Sequence, residues 1–218
     1  LCTPTDVSRD LVAQLMGGPV VVDTSSAFRM EENVPLIVPE VNGKSIREHQ
    51  GLIAGPNCST IQLVMSLYPI HLEFGLCRVH VSTYQSVSGA GYKAMQELRE
   101  TSLRKLTSND LELCEDLSEF PHPIAFNLIP QIDSFVNNGY SKEEMKMINE
   151  TRKILSIPDL AVSCTCVRVP VFIGHSEACL VETKDEPSVE RVREVLAAFP
   201  GVTLLDDPAN QVYPMPLY

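Results

Sequence analysis

Apolar positions recur along the chain with two periods, one helical and one extended. Between Asp6 and Met16, Val7, Leu11, Val12 and Leu15 share a helical stripe that Gly17-Gly18 ends, and Pro19 to Asp23 predicts a buried strand. Residues 31–55 are broken by Pro35, Pro39 and Gly43 and predict loop with short strand. Ile53 to Ser59 predicts a tight turn into a helix from Thr60 to Leu67, expected to end before Pro69. Leu76 to Val87, with Val79, Val81, Thr83 and Val87, predicts a long strand, after which Ser88-Gly89-Ala90-Gly91 opens a helix to about Thr101. The acidic, proline-bearing stretch 107–123 predicts an exposed excursion.

Further along, Ser141 to Leu155 predicts a helix. Ser141 and Glu144 have the spacing of a capping box, and Met145, Ile148 and Ile154 can share a face. Ser163 to Thr183 predicts two strands interrupted near Val171 to His175, and Ser188 to Phe199 an amphipathic helix after Pro187. The stretch from Asp206 to Tyr218 is Pro-rich and has no closing element. This mixture predicts an α+β sheet covered by helices on one face, following a remnant of an α/β unit.

At 218 residues the chain suits one large domain or two small ones, and 44% apolar with 21% charged residues is globular usage. Its net charge of −11 argues against a general binder of nucleic acid or anionic membrane, because no basic stripe exists to neutralise phosphates. A small anionic substrate needs only a few local cations and remains compatible. No apolar run approaches the roughly 18 residues of a membrane span, and Leu1-Cys2-Thr3-Pro4 is no signal peptide. The chain lacks an initiating Met, so it is expected to be a piece of a longer protein or a processed product. Seven cysteines, an odd number without CxxC spacing, predict free thiols in a reducing cytoplasm.

Four clusters carry candidate chemistry. In Gly55-Pro56-Asn57-Cys58-Ser59-Thr60 a cysteine sits at a turn into a helix, where unpaired N–H groups and the helix dipole favour thiolate. Burial as a small apolar side chain is the ordinary fate of a cysteine, and the turn makes the two readings about equal. In Thr83 to Gly91 small residues at a strand-to-helix turn let a ligand approach the backbone, although no complete GxGxxG occurs and a plain tight turn is favoured. Arg168 suits capture of a carboxylate or phosphate and His175 suits proton transfer. They lie seven residues apart, and a bend at Pro170 or Gly174 is needed to bring both to one site. In Glu143-Glu144-Met145-Lys146, capping explains Glu144 and solvent exposure explains Lys146. No spacing suggests a metal site. Cys58 with His175 allows only a general statement: acyl transfer through a thioester.

Taken in order, further runs are more specific than any one cluster. They are Asp23-Thr24-Ser25-Ser26-Ala27-Phe28-Arg29-Met30, Val38-Pro39-Glu40-Val41-Asn42, Gly55 to Thr60, Ser88-Gly89-Ala90-Gly91-Tyr92, Asn127-Leu128-Ile129-Pro130-Gln131-Ile132, Glu143 to Lys146, and Arg168-Val169-Pro170-Val171 with Gly174-His175-Ser176. Across nearly its whole length the chain resembles the aspartate-β-semialdehyde dehydrogenases of the bacterial type. The resemblance implies NADPH-dependent reduction of L-aspartyl 4-phosphate to L-aspartate 4-semialdehyde and phosphate, in lysine, threonine and methionine biosynthesis. It implies that Cys58 is the nucleophile, that His175 is the acid/base and that Gln85 orients the intermediate. Arg168 is implied as the clamp on the α-carboxylate with Glu144 at the amino group. Arg29 and Lys146 are implied at the phosphate, Asn57 beside substrate or nicotinamide, and Ser88, Gly89 and Gly91 as cofactor contacts.

The same resemblance implies a glyceraldehyde-3-phosphate dehydrogenase-like catalytic domain with a mixed sheet, helices on one face and a homodimer contact on the other. Residues 1–52 are expected to be the C-terminal remnant of a Rossmann-type NADP-binding domain. Residues 53–218 are expected to form the catalytic and dimerisation domain without its final strand and helix, so that this polypeptide alone binds NADP weakly. Two other readings compete: a non-catalytic dimerisation fragment, and an N-acetylglutamyl-phosphate reductase. The latter's substrate lacks a free ammonium, so Glu144 and Arg168 disfavour it.

Overall fold

A computed structural model describes residues 1–107 and 119–217. The expected excursion at 107–123 falls largely outside the described residues, as does Cys114. The elements follow in the order α1 (Thr5–Leu15), β1 (Val21–Asp23), α2 (Pro39–Asn42), β2 (Leu52–Ala54), α3 (Cys58–Phe74), β3 (Leu76–Gln85), α4 (Tyr92–Thr107), α5 (Lys142–Leu155), β4 (Ala161–Arg168), β5 (Ser176–Thr183) and α6 (Val189–Ala198), with short 3₁₀ turns between some of them. Among the described residues no helix is long and apolar enough to cross a membrane.

Most predicted helices and strands form close to their expected bounds, with differences at α3 and α4, the latter running to Thr107 rather than about Thr101. α3 does not stop before Pro69 but runs through it to Phe74 and is closed by Gly75 at φ 66°. A mid-helix proline removes a hydrogen bond and costs about 3 kcal/mol. The same helix buries Leu63, Val64, Leu67 and Phe74, at about 1.5–3 kcal/mol per side chain, which offsets that cost. The Gly-rich turn also begins differently: residues Val87–Ala90 form a 3₁₀ turn, and the α-helix starts only at Tyr92.

The chain forms two compact units. One comprises Leu1–Val79, Met145–Ser163 and Leu180–Leu204. In it β1 and β2 pair in parallel, Val21 opposite Leu52 and Asp23 opposite Ala54. Val12, Val21 and Leu52 form a small core against Leu15, Phe28 and Val34. Tyr68 of α3 meets Phe199, just beyond α6, edge to face with ring centres 5.9 Å apart.

The other unit comprises His80–Glu144, Cys164–Cys179 and Leu205–Tyr218. Its core is Val87, Ala94, Leu98, Ile124, Ala125 and Ile129.

The three-stranded sheet has the order β4-β3-β5. Past the ends of β3 and β4, Val169 N–H donates to Gln85 and Val87 N–H to Val171, so these strands run parallel. Lys184, just after β5, donates to Phe74 and Gly75, just before β3, which makes β5 antiparallel and the sheet mixed. Val79, Val81, Thr83 and Gln85 of β3 are buried while Cys77, His80 and Tyr84 are exposed, so one sheet face is covered and the other open. β5 has no buried residue, and Leu180 is 66% exposed. The architecture is the expected α/β class with a mixed sheet.

The predicted capping box forms at the start of α5. Glu144 N–H donates to Ser141 Oγ at 3.3 Å, and Ser141 N–H donates to Glu144 Oε2 at 2.6 Å. Replacing Ser141 by Ala is expected to cost about 1 kcal/mol of stability, read as a lower denaturant midpoint with an unchanged slope.

Candidate active site

The first group of predicted residues gathers where β2 hands over to α3. Asn57 is the N-cap of α3, and its Oδ1 accepts from the N–H groups of Ser59 and Thr60 at 3.0 and 3.2 Å. That cap places Cys58 as the first residue of a 17-residue helix, where its thiol is exposed. Cys164 and Cys166 on β4 are buried instead, and burial pushes the Cys166 thiol up to about 12, so it remains an inert thiol at neutral pH.

The turn before Cys58 is fixed by a carboxylate that no motif in the sequence singles out. Glu150 of α5 is 1% exposed. Its Oε2 accepts from Asn57 N–H at 2.7 Å and its Oε1 pairs with Arg29 Nη1 at 3.1 Å. Arg29 also donates through Nε to Gly55 O at 2.9 Å and through Nη2 to Thr24 O at 2.7 Å. Arg29 thus has three of its donors committed to the protein and holds the loop 24–29 to the turn at 55–57. Lys153 Nζ secures the next stretch through the carbonyls of Arg29, Glu31 and Val34. Lys146, in the same unit, is half-buried on α5.

The second group gathers at the end of β3. The bend that the sequence required between Arg168 and His175 is present. Val171 N–H turns back to Val169 O at 2.8 Å, and Gly174 adopts φ +90°. A side chain at 174 is doubly excluded, because a Cβ there would lie 2.7 Å from Pro216 O. With the chain bent, both functional groups reach Ser86. Arg168 Nη1 donates to Ser86 O at 2.7 Å, and Ser86 N–H donates to His175 Nδ1 at 3.0 Å.

Gly89 explains its own identity in the same place. A Cβ on it would stand 3.0 Å from Arg168 Nη1 and 3.4 Å from His175 Nε2. Gly89, Ala90 and Gly91 are exposed and Ser88 half-buried, so the turn offers an open surface. Its N–H groups at Ser88, Gly89 and Gly91 are directed to Phe172, Ser86 and Ser88 carbonyls. It therefore fits a ligand by close approach rather than as a cradle of free amides.

Gln85 is 1% exposed, and its Nε2 donates to Glu143 Oε1 at 3.4 Å. Glu144 has other work: its Oε2 receives Ser141 N–H and its Oε1 receives Cys166 N–H at 3.0 Å. Glu143 is thus the acid beside Gln85, and the sequence reading missed it. The two neighbouring glutamates were the available signal, and the capping box, which uses one of them, was the means to separate them. Burial and the Arg168 guanidinium hold the His175 imidazole below its ordinary 6.5, with the Glu143 carboxylate opposing them. The ring is therefore neutral near pH 7.

Glu150→Ala would leave Arg29 as a buried charge without its partner. The expected loss is about 3–5 kcal/mol, measured by chemical denaturation. Glu143→Gln removes the charge that raises the His175 midpoint, so the midpoint is expected to move further down. Imidazole NMR titration checks this, and an unchanged or raised midpoint would contradict it.

The family described as semialdehyde dehydrogenase, dimerisation domain, matches residues 67–218, and that described as semialdehyde dehydrogenase, NAD binding domain, matches residues 1–49. The aspartate-semialdehyde dehydrogenase of Bacillus subtilis (strain 168) is 53% identical over 203 residues, covering 91% of this chain and 59% of that protein. That of Aquifex aeolicus is 50% identical, covering 92% and 58%. The chain thus spans about three fifths of the length of these curated relatives. Aspartate semialdehyde dehydrogenase II of Vibrio cholerae, solved in complex with ASA, superposes with a TM-score of 0.87 at 44% identity over 91% of this chain and 59% of that one. The Candida albicans aspartate semialdehyde dehydrogenase, solved with NADP, gives 0.64 at 26% identity over 89% and 53%. With one family match covering more than half of its length, the chain belongs to the semialdehyde dehydrogenase family.

Proposed function

We propose that this chain carries the acyl-transfer chemistry of an NADP-dependent, phosphorylating aspartate-semialdehyde dehydrogenase. The reaction is the interconversion of L-aspartyl 4-phosphate with L-aspartate 4-semialdehyde and phosphate. The observation that carries this reading is the meeting of Arg168 and His175 at Ser86 and Gly89, with the buried Gln85–Glu143 pair on the same unit. A guanidinium for a carboxylate, an acid for an ammonium and an imidazole for proton transfer are what an α-amino acid with a reacting side-chain carbonyl requires. The relatives described above are named aspartate-semialdehyde dehydrogenases, which supports the reading.

In the proposed mechanism Cys58 Sγ, at a position where the α3 N-terminus favours thiolate, attacks the carbonyl carbon of the acyl phosphate, the C–O bond to phosphate breaks, phosphate leaves and a thioester remains. Arg168 holds the α-carboxylate. Glu143, rather than Glu144, holds the ammonium, since both oxygens of Glu144 receive backbone N–H groups. Gln85, held by Glu143, orients the carbonyl oxygen. His175 exchanges the proton of the hydroxyl that forms and disappears at the reacting carbon. Lys146 is the cation offered to the phosphate. Arg29 acts there chiefly by fixing the turn that carries Asn57 and Cys58, because three of its donors are spent on Glu150, Gly55 and Thr24. A nicotinamide dinucleotide, bound against Ser88, Gly89 and Gly91 with Asn57 near the ring, would supply or accept the hydride.

We further assign residues 1–52 to the nucleotide-binding side of the protein and 53–218 to the catalytic side. The open sheet face, with Tyr84 and Leu180 exposed, is assigned to a homodimer contact. The cytoplasm is the compartment that suits the six free thiols among the described residues.

With aspartate semialdehyde, phosphate and NADP as reactants, Cys58→Ala is expected to abolish NADPH formation while leaving the thermal midpoint within a few degrees. Appreciable turnover by that variant would refute the nucleophile. Arg168→Lys keeps the charge but loses the planar fork, and is expected to raise KM for the semialdehyde at least about tenfold with a smaller change in kcat.

A further inference from the structure

We propose that the hydroxyls of Ser86 and Ser88 form a proton relay from Nδ1 of His175 to solvent, leaving Nε2 to serve the reacting group. This deepens the reading above and rests on it for the role of His175; in the relay Ser86 and Ser88 act through the imidazole as positioning residues, Ser88 in addition to its place beside the dinucleotide.

The contacts at Nδ1 are of two kinds. Ser86 N–H lies 3.0 Å away and is an obligatory donor, so it stabilises the ring only when Nδ1 carries no proton. Ser86 Oγ lies 3.1 Å from the same nitrogen and can either donate or accept. When Nδ1 is protonated, that hydroxyl is the group in place to receive it. The hydroxyl of this wholly buried residue can thus meet either tautomer of the neutral ring, while its N–H favours the one with Nδ1 unprotonated. The path continues outward. Ser86 Oγ is 2.9 Å from Ser88 Oγ, Ser88 is half-buried, and Gly89 and Ala90 beyond it are exposed.

The electrostatics give the relay its purpose. The charged groups facing the ring are Arg168 from β4 and Glu143 from α5, and with burial the balance disfavours an imidazolium. A base that must take a proton at Nε2 without becoming a cation has to release one at Nδ1.

In the aldehyde-oxidising direction, with a bound nicotinamide dinucleotide to accept the hydride, the hydroxyl of the Cys58 adduct would give its proton to Nε2. Nδ1–H passes to Ser86 Oγ, the hydroxyl proton of Ser86 to Ser88 Oγ, and that of Ser88 to water. The C–O bond becomes a carbonyl, one proton reaches solvent and the ring ends as the Nε2–H tautomer with Ser86 N–H on Nδ1. That is the hydrogen bond present in the structure. The reductive direction reverses each transfer.

The test measures exchange of the His175 ring N–H with water, by ¹⁵N-edited saturation transfer on this chain at a pH where the ring is neutral. The signal is assigned by its loss in His175→Asn. Ser86→Ala and Ser88→Ala are each expected to slow exchange about threefold or more, the order of one lost hydrogen bond, and Ser86→Thr is expected to restore it. Ser88 is half-buried and Ser88→Ala stands alone if the buried Ser86→Ala fails to fold. Unchanged exchange in the folded variants overturns the relay. In turnover assays at saturating NADP the two alanine variants are expected to lose about tenfold in kcat with KM for the semialdehyde within about twofold, and to convert a bowed proton inventory into a linear one. Slowed exchange in both variants together with undiminished turnover by Cys58→Ala would overturn the dehydrogenase reading and leave the relay standing. Normal exchange and turnover in both variants would do the reverse.

Discussion

A single carboxylate sets the order of the unit that carries Cys58. Glu150 is buried almost completely, so its charge is tolerable only while both oxygens are occupied, one by the Arg29 guanidinium and one by the amide of Asn57. Removing either partner exposes the other to a penalty of several kcal/mol, which makes the arrangement close to all-or-none. Because Arg29 also reaches Gly55 and Thr24, the bond ties a loop far back in the chain to the turn that begins α3. The position of the thiol is thus inherited from an ion pair whose members lie 121 residues apart.

The other unit anchors its functional side chains on the main chain. There the main chain of one serine does the work, its carbonyl taking Arg168 and its amide taking His175. Peptide groups cannot rotate away as side chains do, so two long functional groups are held by an anchor that carries little entropy of its own. The absence of a side chain on Gly89 keeps room beside both.

Much of the fold was legible because local chemistry and the final structure agree. The spacing of Ser141 and Glu144 marked the start of α5, and the apolar runs on either side of Val171 to His175 marked β4 and β5. The need for a bend between Arg168 and His175 could be stated from residue spacing, and Gly174 supplied it. Pro69 misled because a local rule was outweighed by the buried face of α3. Glu150 was illegible for a related reason. On a helix flanked by Met147, Ile148 and Thr151 it looks like any surface acid, and only tertiary packing shows that it is sealed. The division of work between Glu143 and Glu144 needed knowledge of which backbone amides each one faces, since residues one apart on a helix point in different directions.

The contact at Gly174 has a consequence for how the Pro-rich stretch near residue 216 behaves. Pro216 O fills the space where any larger residue would put its first carbon. The two segments act like a latch and its keeper: the glycine can hold its left-handed turn with the proline seated, and a proline that withdrew would leave the loop before His175 unsupported. The orientation of that imidazole is therefore guarded by a piece of chain about forty residues downstream, and heat or protease acting there would be felt at the ring before the sheet itself gave way.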